Sequence, residues 1–99
     1  MVLLDLLGRR WSLRVLWELR DRSLTSRDLR AACDDVSPTV LQTRLGDLRA
    51  ADLVGHRAGE GYHLTALGAE LMTAFTPLYR FADRWADRPA APGRAAPDN

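Results

Sequence analysis

Residues 36–48 read VSPTVLQTRLGDL. Ser37 is a good N-cap, because its hydroxyl can accept from an amide that the first turn of a helix leaves without a partner. Pro38 suits the first helical position, where its missing N–H would have been an orphan in any case. On a wheel turning about 100° per residue, Leu41, Leu45 and Leu48 share one narrow sector. Thr39, Thr43, Gly46 and Ala50 collect on the opposite side, with Gln42 beside them. The spacing predicts a helix over 38–51 that hides its leucines and turns a short-chained, uncharged, hydrogen-bonding face outward. A face chosen only for solubility more often carries Glu, Lys or Arg. A helix pressed into a DNA major groove needs room and hydrogen-bonding groups near its N-terminal half. Gln42 can pair with adenine N6 and N7. Thr39 and Thr43 can bond bases or phosphates or touch a thymine methyl, and the helix start at Ser37 offers free N–H groups to a phosphate.

Immediately upstream, SLTSRDLRAAC (residues 23–33) carries its own start signals. Thr25 can cap, Asp28 at N3 gives an acidic variant of the capping box, and Leu24 with Leu29 form a hydrophobic staple. A helix from Ser26 to Cys33 is expected. Asp34 and Asp35 then read as turn chemistry, so the two helices are joined by a short turn, the form of a helix-turn-helix. Before them, residues 2–7 (VLLDLL) form a short apolar helix closed by Gly8. A second helix is expected over 10–21, polar only at Arg10, Arg14, Glu18 and Asp21 and therefore central to the fold.

After Asp52 the hydrophobic period shortens. LVGHR (53–57) and YHLT (62–65) are strand-like runs around AGEG, whose glycines suit a tight hairpin. From Thr65 to Asp87 a long helix is expected, with Leu67, Leu71, Phe75, Leu78, Ala82 and Trp85 on one stripe and a kink at Pro77. The class is mainly α with a small β-hairpin wing: a winged helix-turn-helix with a long C-terminal dimerisation helix. One domain over 1–87 is expected. Residues 88–99, with three prolines and short side chains, are expected to form a disordered Pro/Ala-rich tail.

The chain of 99 residues carries 14 basic and 13 acidic residues, for a net charge of +1, too balanced to announce a nucleic-acid partner by itself. Distribution says more, since Arg9, Arg10, Arg14, Arg20, Arg22, Arg27 and Arg30 face only Glu18, Asp21 and Asp28 in that stretch. Every basic residue is arginine. That suits bidentate phosphate and guanine contacts, and it is also what a GC-rich genome yields. No apolar run approaches the length of a membrane span and no secretory signal is evident, so a cytoplasmic address without membrane attachment is expected.

Three segments, LLDLLGRRWSLRVLWELRDRSLTSRDLRAA, VSPTVLQTRLGDLRAADLV and YHLTALGAEL, together resemble the HxlR family of bacterial winged-helix regulators, relatives of the MarR type. That family shows a glycine-basic-tryptophan turn, an "ISP...L..RL..L...GLV" recognition unit and a "Y.LT.LG" exit from the wing. The resemblance covers residues 3–71, with Ser37, Pro38, Leu41, Arg44, Leu45 and Leu48 on motif positions. It implies a homodimeric transcription factor bound to double-stranded DNA at a pseudo-palindromic operator. Arg44, on the flank of the helix, is expected to hold a phosphate or a structural salt bridge rather than to read a base.

The departures from the pattern matter too. The cysteine that the family commonly places before its first helix has no counterpart here, so thiol sensing by that residue is not expected. Asp34 and Asp35 stand where "PG" is common, and Gly46 where a basic residue follows "RL". Both changes remove positive potential, so DNA binding is expected to be weaker than typical or to depend on Arg27, Arg30, Arg49 and Arg57. The shortened wing weakens the case for a minor-groove contact. The alternative is a winged-helix protein- or small-molecule-binding module with weak or no DNA affinity.

The long helix holds more apolar surface than a small winged core covers. Leu71, Phe75, Leu78, Phe81 and Trp85, with Leu3, Leu4 and Leu7 of the first helix, are expected at a two-fold interface. Trp11, Trp17, Phe75, Tyr79 and Trp85 could line a pocket for a small aromatic effector, although core packing explains them equally. Cys33 reads as a small core residue. His56 and His63 are too few for a metal site, and no nucleophile, carboxylate pair or phosphate loop is visible. No cofactor, metal or enzymatic activity is expected.

Overall fold

A computed structural model describes residues 2–89. The chain forms α1 (Val2–Leu7), α2 (Ser12–Glu18), α3 (Ser26–Ala32), α4 (Pro38–Ala50), β1 (Val54–Arg57), β2 (Gly61–Leu64) and α5 (Ala66–Asp87). The expected order holds. Of the expected tail, residues 90–99 lie outside the described residues.

Local signals explain most boundaries. The Ser37 hydroxyl accepts from the Val40 N–H at 3.2 Å, with Pro38 behind it. The Thr25 hydroxyl accepts from the Asp28 N–H at 3.1 Å, so α3 begins where its cap stands. The second helix is shorter than its pattern, starting at Ser12 rather than Arg10, because Trp11 takes a left-handed φ of 76°. A bulky residue rarely adopts that conformation. Asp34 and Asp35 are both left-handed as well, each with φ 57°. They make the helix-turn-helix corner that the chemistry of aspartate in turns foretold.

The core gathers Val15 and Leu16 of α2, Leu29 and Cys33 around α3, and Leu41, Leu45 and Leu48 of α4, all essentially solvent-free. Burying each leucine contributes about 1.5–3 kcal/mol relative to exposure. This leucine seam seats α4 and decides which of its faces looks outward. One polar atom is out of character: the Ser12 hydroxyl is fully buried and has no protein partner.

The wing is an antiparallel hairpin with Val54 opposite Leu64 and His56 opposite Tyr62. Tyr62 also exchanges backbone hydrogen bonds with Leu24, at 2.9 and 2.7 Å, so the linker before α3 adds a short third rung. A side chain at Gly61 would run into that rung, which is why glycine stands there at φ 94°. At the hairpin's exit, the Thr65 hydroxyl accepts from Gly68 N–H at 3.0 Å and donates to the Asp52 carbonyl at 2.6 Å. Gly68 lets α5 approach the Leu53 carbonyl. The helix then runs as one element through Pro77 to Asp87. Among the described residues, no helix is long and apolar enough to cross a membrane.

Candidate nucleic-acid interface

The outward face of α4 is built by what its inward face buries. With Leu41, Leu45 and Leu48 in the core, Thr39, Gln42, Thr43, Gly46, Arg49 and Ala50 are all exposed. Thr43 donates its hydroxyl hydrogen to the Thr39 carbonyl at 3.0 Å, which leaves its lone pairs and methyl outward. Among the described residues, the Gln42 amide and the Thr39 hydroxyl make no bond within the protein. The Ser37 oxygen accepts the cap amide, which leaves its O–H and the free amides of the first turn available to an anion.

One flank of α4 is pinned. Arg44 donates from Nε to the Arg10 carbonyl and from a terminal nitrogen to Asp47, both at 2.7 Å, with only 19% of its side chain exposed. Asp47 also pairs with Arg9 at 3.0 Å. Of the two roles open to Arg44, the geometry is that of the structural salt bridge. Arg30 is similarly engaged, donating to the Val36 carbonyl at 2.7 Å across the helix-turn-helix corner. Arg14 closes the other side of that corner, reaching the Ala32 carbonyl, Glu18 at 2.9 Å and Asp34 at 3.3 Å.

Of the arginines expected to meet phosphate, Arg27 and Arg49 are exposed with no carboxylate partner among the described residues. Arg57, on the wing, faces Glu60 at a loose 3.6 Å. Arg10 is an additional candidate. It is exposed, its carbonyl is held by Arg44 of α4, and its guanidinium lies 5.5 Å from the Trp11 ring. Its place inside an expected helix hid it; the left-handed Trp11 turns that position into a loop beside α4.

The residues expected at a subunit interface divide into groups. Leu4 is 61% exposed, and Leu78, Phe81 and Trp85 are each about half exposed. Leu71 and Phe75 are half-buried against the core. Leu7 is a correction: it is 6% exposed and belongs to the protomer's own core, because α1 turns Leu6 and Leu7 inward and Val2, Leu3 and Leu4 outward.

The aromatic set also divides. Tyr79 lies 4.4 Å from Trp17 and 5.5 Å from Phe75, and the Arg20 guanidinium caps Trp17 at 3.7 Å. Burial pushes the Tyr79 hydroxyl up, with Arg20 opposing. Trp11 and Trp85 are not part of this cluster, so the five aromatics do not line one pocket within the chain. Cys33 is buried, and burial pushes its thiol up against the opposing charge of Arg14. His56 and His63 fall on opposite faces of the hairpin, since His56 pairs with Tyr62 and His63 with Gly55. Among the described residues no group of three or more metal-ligating side chains occurs.

The HxlR-like helix-turn-helix family matches residues 6–90 of the chain. Quinone-bound YodB from B. subtilis is 26% identical with a TM-score of 0.74, over 81% of this chain and 89% of that one. A "possible HxlR family transcriptional factor" from Thermoplasma volcanium GSS1 is 27% identical with a TM-score of 0.76, over 86% and 82%. The transcriptional repressor BigR from Xylella fastidiosa is 25% identical with a TM-score of 0.66, over 89% and 86%. No curated protein matches the chain.

Proposed function

The chain belongs to the HxlR-like helix-turn-helix family, a family of DNA-binding transcriptional regulators and not of enzymes, and from that premise we propose that it acts in the cytoplasm as a homodimer on a two-fold operator. Each copy of α4 enters the major groove. Gln42 and Thr39 read base edges, Thr43 offers its methyl and lone pairs, and Arg27, Arg49, Arg10 and Arg57 hold phosphates. The observation that carries this reading is the outward face of α4: Thr39, Gln42, Thr43 and Gly46 are exposed and uncharged, and the Gln42 amide and Thr39 hydroxyl are unbonded among the described residues, on a helix whose other side is sealed in the core.

Footprinting on the gene's own upstream DNA tests it. Two protected half-sites one helical turn apart are expected, because a two-fold dimer presents its helices at that spacing. Gln42→Ala should relax the preference for one base pair in each half-site. Absence of protection supports instead a binding module that has lost DNA affinity, a reading favoured by the carboxylates already holding Arg9, Arg14 and Arg44.

Regulation by a flat aromatic effector draws on the Trp17, Tyr79 and Phe75 cluster, where α2 meets α5. Quinone is what the solved YodB relative carries. Quenching of Trp17 fluorescence by an added quinone, lost in Trp17→Phe, is the expected sign. Quenching unchanged in that variant contradicts it.

A further inference from the structure

In the single chain α5 carries two adjoining faces. Gly68 and Met72 are buried on the body, and Phe75 and Tyr79 continue that side toward Trp17. Beside it runs a second face of Leu67, Leu71, Ala74, Leu78, Phe81 and Trp85. Leu67, Leu78, Phe81 and Trp85 are each about half exposed. The spacing alternates four and three residues along the whole helix, the repeat with which one helix packs lengthwise on another. At its N-terminal end the stripe opens into an apolar groove of about 310 Å³, formed with Leu3 and Leu53 and walled by Glu70.

Building on the dimer reading above, the geometry points to a second copy of α5 lying antiparallel on this seam, with the partner's Phe81 and Trp85 seated in the groove. One register satisfies every layer. Leu67 meets the partner's Trp85, Leu71 the partner's Phe81, and Ala74 the partner's Leu78, pairs that lie nine, five and two residues either side of Thr76. Each layer sets a smaller side chain against a larger one, so the seam fills evenly.

Charge agrees with volume. In an antiparallel pair the residues flanking the seam on one side meet their own kind, one residue out of phase with the core layers. Glu70 and Arg84, seven residues either side of Pro77, are then neighbours across the interface, twice by symmetry. Both are exposed, and neither has an ion-pair partner in the protomer among the described residues. Arg84 already leans over the Phe81 ring, 5.6 Å away, at the edge of the seam. A parallel pair would stack Trp85 on Trp85, leave a void between two Ala74 methyls, and set Glu70 against Phe75.

Sedimentation equilibrium on the full chain at micromolar concentration tests the register. The wild type should be a dimer. Glu70→Arg and Arg84→Glu should each weaken it by about tenfold, because each variant creates two like-charge contacts. Combining them should restore affinity to within about threefold of wild type, since the pair is reversed rather than removed. Unchanged far-UV circular dichroism keeps folding out of the comparison. A dimeric wild type whose single variants associate normally, or whose double variant is no tighter than the singles, overturns the register. A monomeric wild type overturns the dimer reading itself.

Discussion

Asp47 settles two matters at once. Its carboxylate draws in Arg9 and Arg44, while Arg44 holds the Arg10 carbonyl, so α4 is tied to the turn between α1 and α2 and two cations are neutralised beside the face proposed to read DNA. Asp47→Asn should cost about 1 kcal/mol or less, because the side chains are partly exposed and solvent screens the pairs. It should also strengthen non-specific DNA binding, and steepen the fall of affinity with salt, as the freed guanidiniums reach phosphates. A salt slope equal to that of the wild type contradicts this. Asp35→Gly tests the corner of the helix-turn-helix. Asp35 holds φ 57° with no ion pair among the described residues, whereas glycine adopts that angle freely. A gain of about 1 kcal/mol or less in urea unfolding is expected; a loss would mean that the aspartate side chain supports the turn. The Arg44–Asp47 pair, three residues apart, falls within the salt-bridge role expected for Arg44, but its ties to Arg9 and to the Arg10 carbonyl were not legible, because those residues lie more than thirty positions away and only the fold brings them close.

At the scale of the element, α4 separates a buried leucine face from the exposed face proposed for recognition. Leu45→Ala removes a fully buried side chain and should destabilise the protein by about 2–5 kcal/mol. Gln42→Ala should change stability by no more than about 0.5 kcal/mol, yet cost about 1–3 kcal/mol of discrimination at one base pair. Thermal unfolding and operator titration of the two variants check the pair of claims, and the reverse pattern would mean that the faces have been exchanged. Both helices of the helix-turn-helix were legible because their signals are local: Thr25, Ser37 and Pro38 act within one turn of where they stand. The start of α2 was not, since Trp11 keeps a left-handed backbone only with tertiary support. The apolar character of α5 was legible, and the expected stripe included Phe75; in the protomer Phe75 packs against Tyr79, and the proposed seam takes Ala74 at that layer. A wheel cannot tell which of two adjoining apolar faces the chain's own body covers. Leu7 was misassigned for the same reason.

At the scale of the molecule, an elongated body of 54 × 27 × 25 Å holds a compact winged core, and the later turns of α5, from Arg80 on, stay exposed. The net charge of +1 gives little long-range attraction to DNA. On the proposed function, affinity then rests on base-edge contacts from α4 and on pairing two copies of it, more than on phosphate neutralisation. Fluorescence anisotropy with the gene's own upstream duplex and a scrambled duplex, at about 50 mM salt where phosphate contacts count most, tests this directly. The account predicts that the native duplex binds at least about tenfold tighter, the discrimination expected of even one well-read base pair. Equal affinity for both duplexes, or no binding to either, would contradict it.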